Sequence, residues 1–395
     1  MVPWKKPLDF SIVIIIGILA LFLIHCSEDS TSPDSSGYQY IVPLSADDGW
    51  ETASLSEVGL NEELIVNLAE YINAGLFDHI HSVLIIKDDK LVFEEYWTGN
   101  DFGYLRPDYL GTSIEFDMNT RQNTHSATKS IVSALVGIAI NEGFIQSEDD
   151  LIFDYLDSYY DTWKNEGREN ITIKDCLMMA SGLEWNEWEV SVSNSEHDII
   201  RFNQNTFPIR YLLSKPLVTE PGTSFYYNGS TVDLLGVIVA NATGQSIPDF
   251  SRDYLFAPLG ITNYTWQTLR PSGITCCHGD IYITPRDLAK FGYLYLNEGN
   301  WNGEEIIPAE WVEESTRNKI IPGVNWPDGY GYLWWRKNFN VNGRIYESFK
   351  AMGWGGQEII VLNELNMVIV FTGSNYVTYS PCDEMVEDFI LPAIQ

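Results

Sequence analysis

The feature that most constrains this chain is a Ser126-Ala127-Thr128-Lys129 tetrad that opens an almost continuously apolar run, SIVSALVGIAI, closed by Asn141 and Gly143. A helix that is apolar all round has to lie inside a protein core. The run over residues 126–141 therefore predicts a deeply buried helix, ended by Gly143. Residues three apart share a helix face, so the Ser126 hydroxyl and the Lys129 amine are expected in one space. Burial disfavours an ammonium ion, and a neutral amine can take a hydroxyl proton. The helix N-terminus also favours negative charge developing on Ser126. The spacing alone is a weak signal, because chance supplies on the order of one copy in a chain this long. A capping Ser followed by a solvated Lys would read identically. This copy is, however, the only one in the sequence, and it heads the most apolar helix.

Other nucleophile arrangements fit less well. The nearest approach to a Gly-x-Ser-x-Gly elbow, Gly222-Thr223-Ser224-Phe225-Tyr226, lacks the closing Gly. His79 and His81 form a His-x-His pair with no Asp at the spacing of metal-dependent hydrolases, and read as ordinary polar residues. His125 reads as a local capping residue that could touch a cleft.

The chain has 395 residues, 45% apolar and 20% charged, enough for a large globular core. Its 55 acidic residues against 23 basic ones give a net charge of −32 with no basic patch, which excludes nucleic acid as a partner. The 13 Trp and 22 Tyr suggest an aromatic-lined cleft.

Lys5 and Lys6 precede an apolar run, Phe10–Ile24. The run is shorter than the roughly 20 residues of a membrane span and has the form of an export signal. Residues 1–25 are read as this signal and 26–50 as a flexible tether, of which SEDSTSPDSSG (27–37) is the polar part. Uncleaved anchoring and plain secretion are the alternatives to processing at Cys26. Each of them exports the domain, to the periplasm or the cell exterior. Four cysteines follow: Cys176, Cys276, Cys277 and Cys382. Cys176 reads as a buried thiol, and a link from Cys276 or Cys277 to Cys382 is open. Without a Cys-x-x-Cys pair, a structural zinc site is not expected.

Patterning predicts an amphipathic helix over Leu60–Gly75 and a hairpin of Ser82–Lys87 and Lys90–Tyr96 around Asp88-Asp89. It also predicts a helix over Thr284–Glu298, a strand pair of Gln357–Asn363 and Met367–Gly373, and a last helix over Cys382–Ile390. Strands at both ends with helices between them imply an α/β domain over 51–395. Its mixed, mainly antiparallel sheet is flanked by helices and carries a mostly helical subdomain at about 145–275.

Ser126-Ala127-Thr128-Lys129 with its apolar helix resembles the first motif of the serine β-lactamase and penicillin-binding-protein superfamily, nearest its class C-like esterases and peptidases. ITIKDCLMMASGLEW, PGTSFYYNGSTVDLLG, DIYITPRDLAKFGYLYLNEG, GYGYLWW and GWGGQEIIVLNELNMVIVFTG match further stretches in the same order. Leu23-Ile24-His25-Cys26 resembles a lipoprotein box, with Cys26 lipidated, although His25 replaces the usual small residue.

The resemblance implies an acyl-enzyme hydrolase with Ser126 as nucleophile, Lys129 as base and a Tyr as proton relay. A literal Tyr-x-Asn reading selects Tyr226 with Asn228. The flanking Pro221-Gly222 and Asp233-Leu234-Leu235-Gly236 select Tyr227 instead and put Gly229 in the family's Asn slot, with Asn228 a candidate to compensate toward substrate. Trp354-Gly355-Gly356 stands for the third motif, with Trp354 replacing the family's cation. The backbone N–H groups of Ser126 and Gln357 would form the oxyanion hole. Without that cation, a neutral ester or amide is the expected substrate. β-Lactamase or D,D-peptidase activity is the alternative within the enzyme class, and a non-catalytic cell-wall binder the alternative outside it. Trp185, Trp188, Trp334 and Trp335 are divided between pocket walls and packing. Arg286 and Asp287 read as capping and salt-bridge residues. No cofactor or metal is implied, and the expected form is a monomer.

Overall fold

The computed structural model describes residues 37–188, 190, 194, 196–324 and 326–395. The expected export signal, Cys26 and the expected tether up to residue 36 lie outside the described residues. The sheet is built from both ends of the chain. The elements that matter are α1 (Glu62–Asn73), β1 (Ile80–Lys87), β2 (Lys90–Tyr96), β3 (Thr98–Phe102), β4 (Leu110–Glu115) and α2 (Thr128–Asn141). They continue with α3 (Ser230–Thr243), β5 (Ile281–Ile283), α4 (Pro285–Leu296), β6 (Trp335–Val341), β7 (Arg344–Gly353), β8 (Gln357–Leu362) and β9 (Met367–Gly373). The eight-stranded sheet runs Glu51–Thr52, β2, β1, β9, β8, β7, β6 and Gly329–Tyr330. Every pairing is antiparallel except that of Glu51–Thr52 with β2.

Both faces of the central strands are covered, so their apolar residues run almost without interruption. Leu84, Ile86, Ile359, Val361, Val368 and Val370 face a core shared with α2, α3 and α4. Their neighbours Val83, Ile85, Ile360, Leu362, Ile369 and Phe371 face a second core under α1 and the C-terminal helix. Each such side chain, wholly buried, contributes roughly 1.5–3 kcal/mol. The β1–β2 hairpin turns on Asp88 (φ 50°) and Asp89 (φ 68°), the left-handed pair that a two-residue turn of matching twist requires.

Several boundaries differ from expectation. Ser126 precedes α2, in a 3₁₀ turn over His125–Ala127. The last helix is an α-turn over Cys382–Met385 that widens into a π-turn over Val386–Ile390. Residues 37–50, expected as tether, pack along the sheet edge. Tyr40 donates to the Val92 carbonyl at 2.7 Å, and Trp50 is buried edge-on against Tyr293 and Trp301. The open cysteine link is not formed, since all four cysteines of the domain are free, buried thiols. Cys276 lies beside His278 and Asp280, whereas Cys382 lies against Ser380. Among the described residues, no helix is long and apolar enough to cross a membrane.

Candidate active site

The site is built where α2, the segment before α3, the loop before β5 and the β7–β8 turn converge. Asn123 holds the turn that carries Ser126: its Oδ1 accepts the His125 N–H at 2.9 Å, and its Nδ2 donates to Asp280 at 2.6 Å. His125 is held at φ 45°, a left-handed conformation that is uncommon for a residue with a side chain. The 3₁₀ turn follows, and α2 carries Lys129 into the core at 2% exposure. Lys129 Nζ donates to Ser126 Oγ at 2.9 Å and also contacts the His278 carbonyl. On the other side, Tyr227 OH donates to Ser126 Oγ at 2.9 Å. Lys129 Nζ lies 5.1 Å from the centre of the Tyr227 ring.

Of the two candidate tyrosines, Tyr227 reaches Ser126, and Tyr226 is 43% exposed. The Tyr227 ring lies almost parallel to Trp326 and Trp335, at 5.7 and 6.2 Å, with Trp188 edge-on at 5.3 Å. Such stacking adds to area burial and fixes the ring plane. Trp188 and Trp335 thus help form one wall. Trp185 and Trp334 do not, being wholly buried in packing with Phe202 and with Tyr295.

The third motif forms a turn between two inner strands. Gly353 pairs with Gln357 across it, and Gly355 and Gly356 take φ of 88° and 87°, which only glycine adopts cheaply. Trp354 donates its indole N–H to the Tyr376 carbonyl at 2.9 Å. It packs against Phe102, Tyr109 and His125, giving a second aromatic wall. Gln357 is 2% exposed, and its side chain donates to the Gly373 carbonyl.

Asn228, expected to compensate toward substrate, lies in the segment before α3 with its Nδ2 buried and without a hydrogen-bond partner among the described residues. It is 1% exposed, and its Oδ1 accepts from the N–H and hydroxyl of Ser230 at 3.1 and 2.7 Å. The space beside Gly229 is instead taken by Glu187: a Cβ at 229 would lie 3.0 Å from Glu187 Oε1. Glu187 Oε2 accepts the Gly229 N–H and the Trp185 indole N–H, each at 2.8 Å.

Electrostatically, burial pulls His125 down to about 4, against the opposing pull of Asp280. His125 is thus neutral beside Ser126 at pH 7. Burial also lowers His278, but the charge and hydrogen bond of Asp233 outweigh it, and its net shift is upward. His81 lies away from the nucleophile between Gln122 and Ser374, as a structural residue. Arg286 binds Glu94 and Asp48, and Thr284 caps α4 through Asp287, so both read as expected.

Sequence reasoning missed Glu187, Asp233, His278 and Trp326. Trp326 sits just before the recognisable GYGYLWW stretch, which offered a local signal. The other three act through contacts between distant segments and offered none.

The Beta-lactamase family profile matches residues 77–379, and the chain belongs to that family. Its fold is that of the β-lactamase-related serine hydrolases. An uncharacterized protein of Alkalihalophilus pseudofirmus is 25% identical over 320 residues, covering 73% of this chain and 82% of that protein. Further curated relatives match over 34% to 51% of their own length. A putative 6-aminohexanoate-dimer hydrolase from Bacillus anthracis has a similar structure, with TM-score 0.65 and 18% identity over 82% of this chain and 80% of that one. A family VIII carboxylesterase superposes with TM-score 0.64 and 17% identity, over 83% and 96% of the two chains.

Proposed function

We propose that this protein is a hydrolase that cleaves a neutral ester or amide through an acyl-enzyme on Ser126. One observation carries the reading: Lys129 Nζ and Tyr227 OH both stand 2.9 Å from Ser126 Oγ, within reach for proton transfer. With Lys129 neutral, an N–H on the His278 carbonyl leaves the nitrogen lone pair for the Ser126 proton. Oγ then bonds to the substrate carbonyl carbon, and the oxygen becomes an oxyanion held by the N–H groups of Ser126 and Gln357. Collapse breaks the bond to the leaving group. Tyr227 gives that group its proton and is reprotonated by Lys129. Water then attacks the acyl-enzyme with the same groups acting in reverse, releasing the acid and restoring Ser126.

Trp354, in place of a cation, supports a substrate without a carboxylate at that point. Names among the similar proteins, a carboxylesterase and a dimer hydrolase, support acyl transfer as the reaction class. The same proposal places the enzyme outside the cytoplasm as a monomer, anchored through a lipidated Cys26.

Labelling with a fluorophosphonate, read by intact mass, tests the chemistry. The expected result is one adduct on the wild type and none on Ser126→Ala of equal thermal stability. A folded wild type that takes no label overturns it. Acyl esters, D-amino-acid peptides and cephalosporins assayed side by side then rank the substrate classes.

A further inference from the structure

Lys129 has a second partner, the backbone carbonyl of His278, in the loop that leads into β5. That loop carries no regular element, yet a carboxylate fixes it at each end. At one end, Asp233 on α3 accepts the N–H groups of Cys277 and His278 on Oδ1, at 2.7 and 3.2 Å. Its Oδ2 stands 2.6 Å from His278 Nδ1, and its side chain is wholly buried. At the other end, Asp280 binds Asn123, the residue that holds the N–H of His125 beside the nucleophile. The loop therefore spans from the helix that follows Tyr227 to the turn that carries Ser126, with the Lys129 contact between them.

We propose that Asp233 and His278 form a positioning pair that holds the His278 carbonyl against Lys129 and so aims the amine at Ser126; this rests on the Ser126 hydrolase reading. Three features support it. A buried carboxylate is costly unless its oxygens are bonded, and here three donors from one loop bond it. Charge-assisted bonds of this kind are short and directional. The pair also leaves no free carboxylate oxygen. Cys276 brings its sulfur within 4.8 Å of both side chains, a grouping that could hold a metal ion, but both carboxylate oxygens of Asp233 already accept hydrogen bonds that brace the loop. Lys129, Asp280 and Glu187 are the other charged groups around His278.

The test compares His278→Ala, His278→Asn and Asp233→Asn in the full chain, by the rate of Ser126 labelling with a fluorophosphonate, by kcat and KM on a small activated ester, and by thermal midpoint. Misplacing a reacting group by about 1 Å costs roughly 100-fold. His278→Ala and Asp233→Asn are therefore expected to lose about 10- to 100-fold in labelling rate and kcat, with KM unchanged. His278→Asn, which keeps a side-chain N–H for Asp233, should recover most of that loss. A folded His278→Ala that labels as fast as wild type overturns the proposal, as does His278→Asn remaining as slow as His278→Ala. A lowered thermal midpoint with an unchanged labelling rate also overturns it, because the pair would then serve stability alone. A wild type that takes no label sinks the hydrolase reading and this inference together; a reactive wild type with an equally reactive His278→Ala sinks this inference only.

Discussion

Gly353 meets the backbone of Thr124 so closely that a Cβ at 353 would lie 2.1 Å from the Thr124 carbonyl oxygen and 3.2 Å from the Ala127 nitrogen. This contact sets the distance between the β7–β8 turn and the nucleophile turn, and hence between the two proposed oxyanion donors. Gly353→Ala should separate them. The expected cost is about 1–3 kcal/mol of stability, as for other overpacked sites. Thermal unfolding checks the stability, and Ser126 labelling should show a slower rate for the fraction that remains folded.

Adjacent tyrosines provide an internal control. Tyr227→Phe removes the hydroxyl 2.9 Å from Ser126 Oγ, and kcat should fall by roughly 10²–10⁴, the usual worth of a general acid–base group. Tyr226→Phe, at a half-exposed position, should leave kcat near wild type. Steady-state kinetics on one activated ester decides between them.

His81 makes a prediction about pH. Burial lowers it from the ordinary 6.5 to about 4, with only partial opposition from Gln122. Between those values the unfolded chain binds a proton that the folded one refuses. Stability from this residue is therefore full above about 6.5 and falls as the pH drops toward 4, at most about 1.4 kcal/mol per pH unit. Denaturant unfolding of His81→Gln should show a shallower loss over that window than wild type.

Lys350 is 2% exposed and binds Glu358 at 2.9 Å and Asp383 at 2.7 Å. Burial opposes its charge, yet the two carboxylates outweigh that and hold it protonated. Lys350→Met would leave Glu358 buried without its cation. Removing one partner of a buried pair typically costs about 3–5 kcal/mol. Adding Glu358→Leu should return part of that loss, measurable as a double-mutant cycle.

What could be read from the sequence follows from the range of the forces involved. Amphipathic and all-apolar periodicities placed α1, α2, α4 and the β1–β2 and β8–β9 pairs within a few residues, because these patterns are local. The Ser126–Lys129 pairing was legible for the same reason, although the left-handed turn at His125 that moves Ser126 ahead of the helix was not. Tyr227 became legible only through a two-sided match to flanking stretches. The four tryptophans divided evenly: Trp188 and Trp335 flank Tyr227, while Trp185 and Trp334 fill core. Side-chain direction decides that, and direction depends on tertiary packing. Glu187, Asp233 and His278 lie 42 to 45 residues from their partners, and composition carries no trace of such a meeting.

The order of strands bears on when the site can come into being. β1, near the start of the domain, has β9, almost its last element, as a neighbour. The β7–β8 turn beside Ser126 is made by strands that follow residue 343. A growing chain therefore carries Ser126 and Lys129 well before the β7–β8 turn can close over them. Such distant pairings are slow to form. Reactivity should accordingly arise late, in one step, once the final segment has inserted between strands already made.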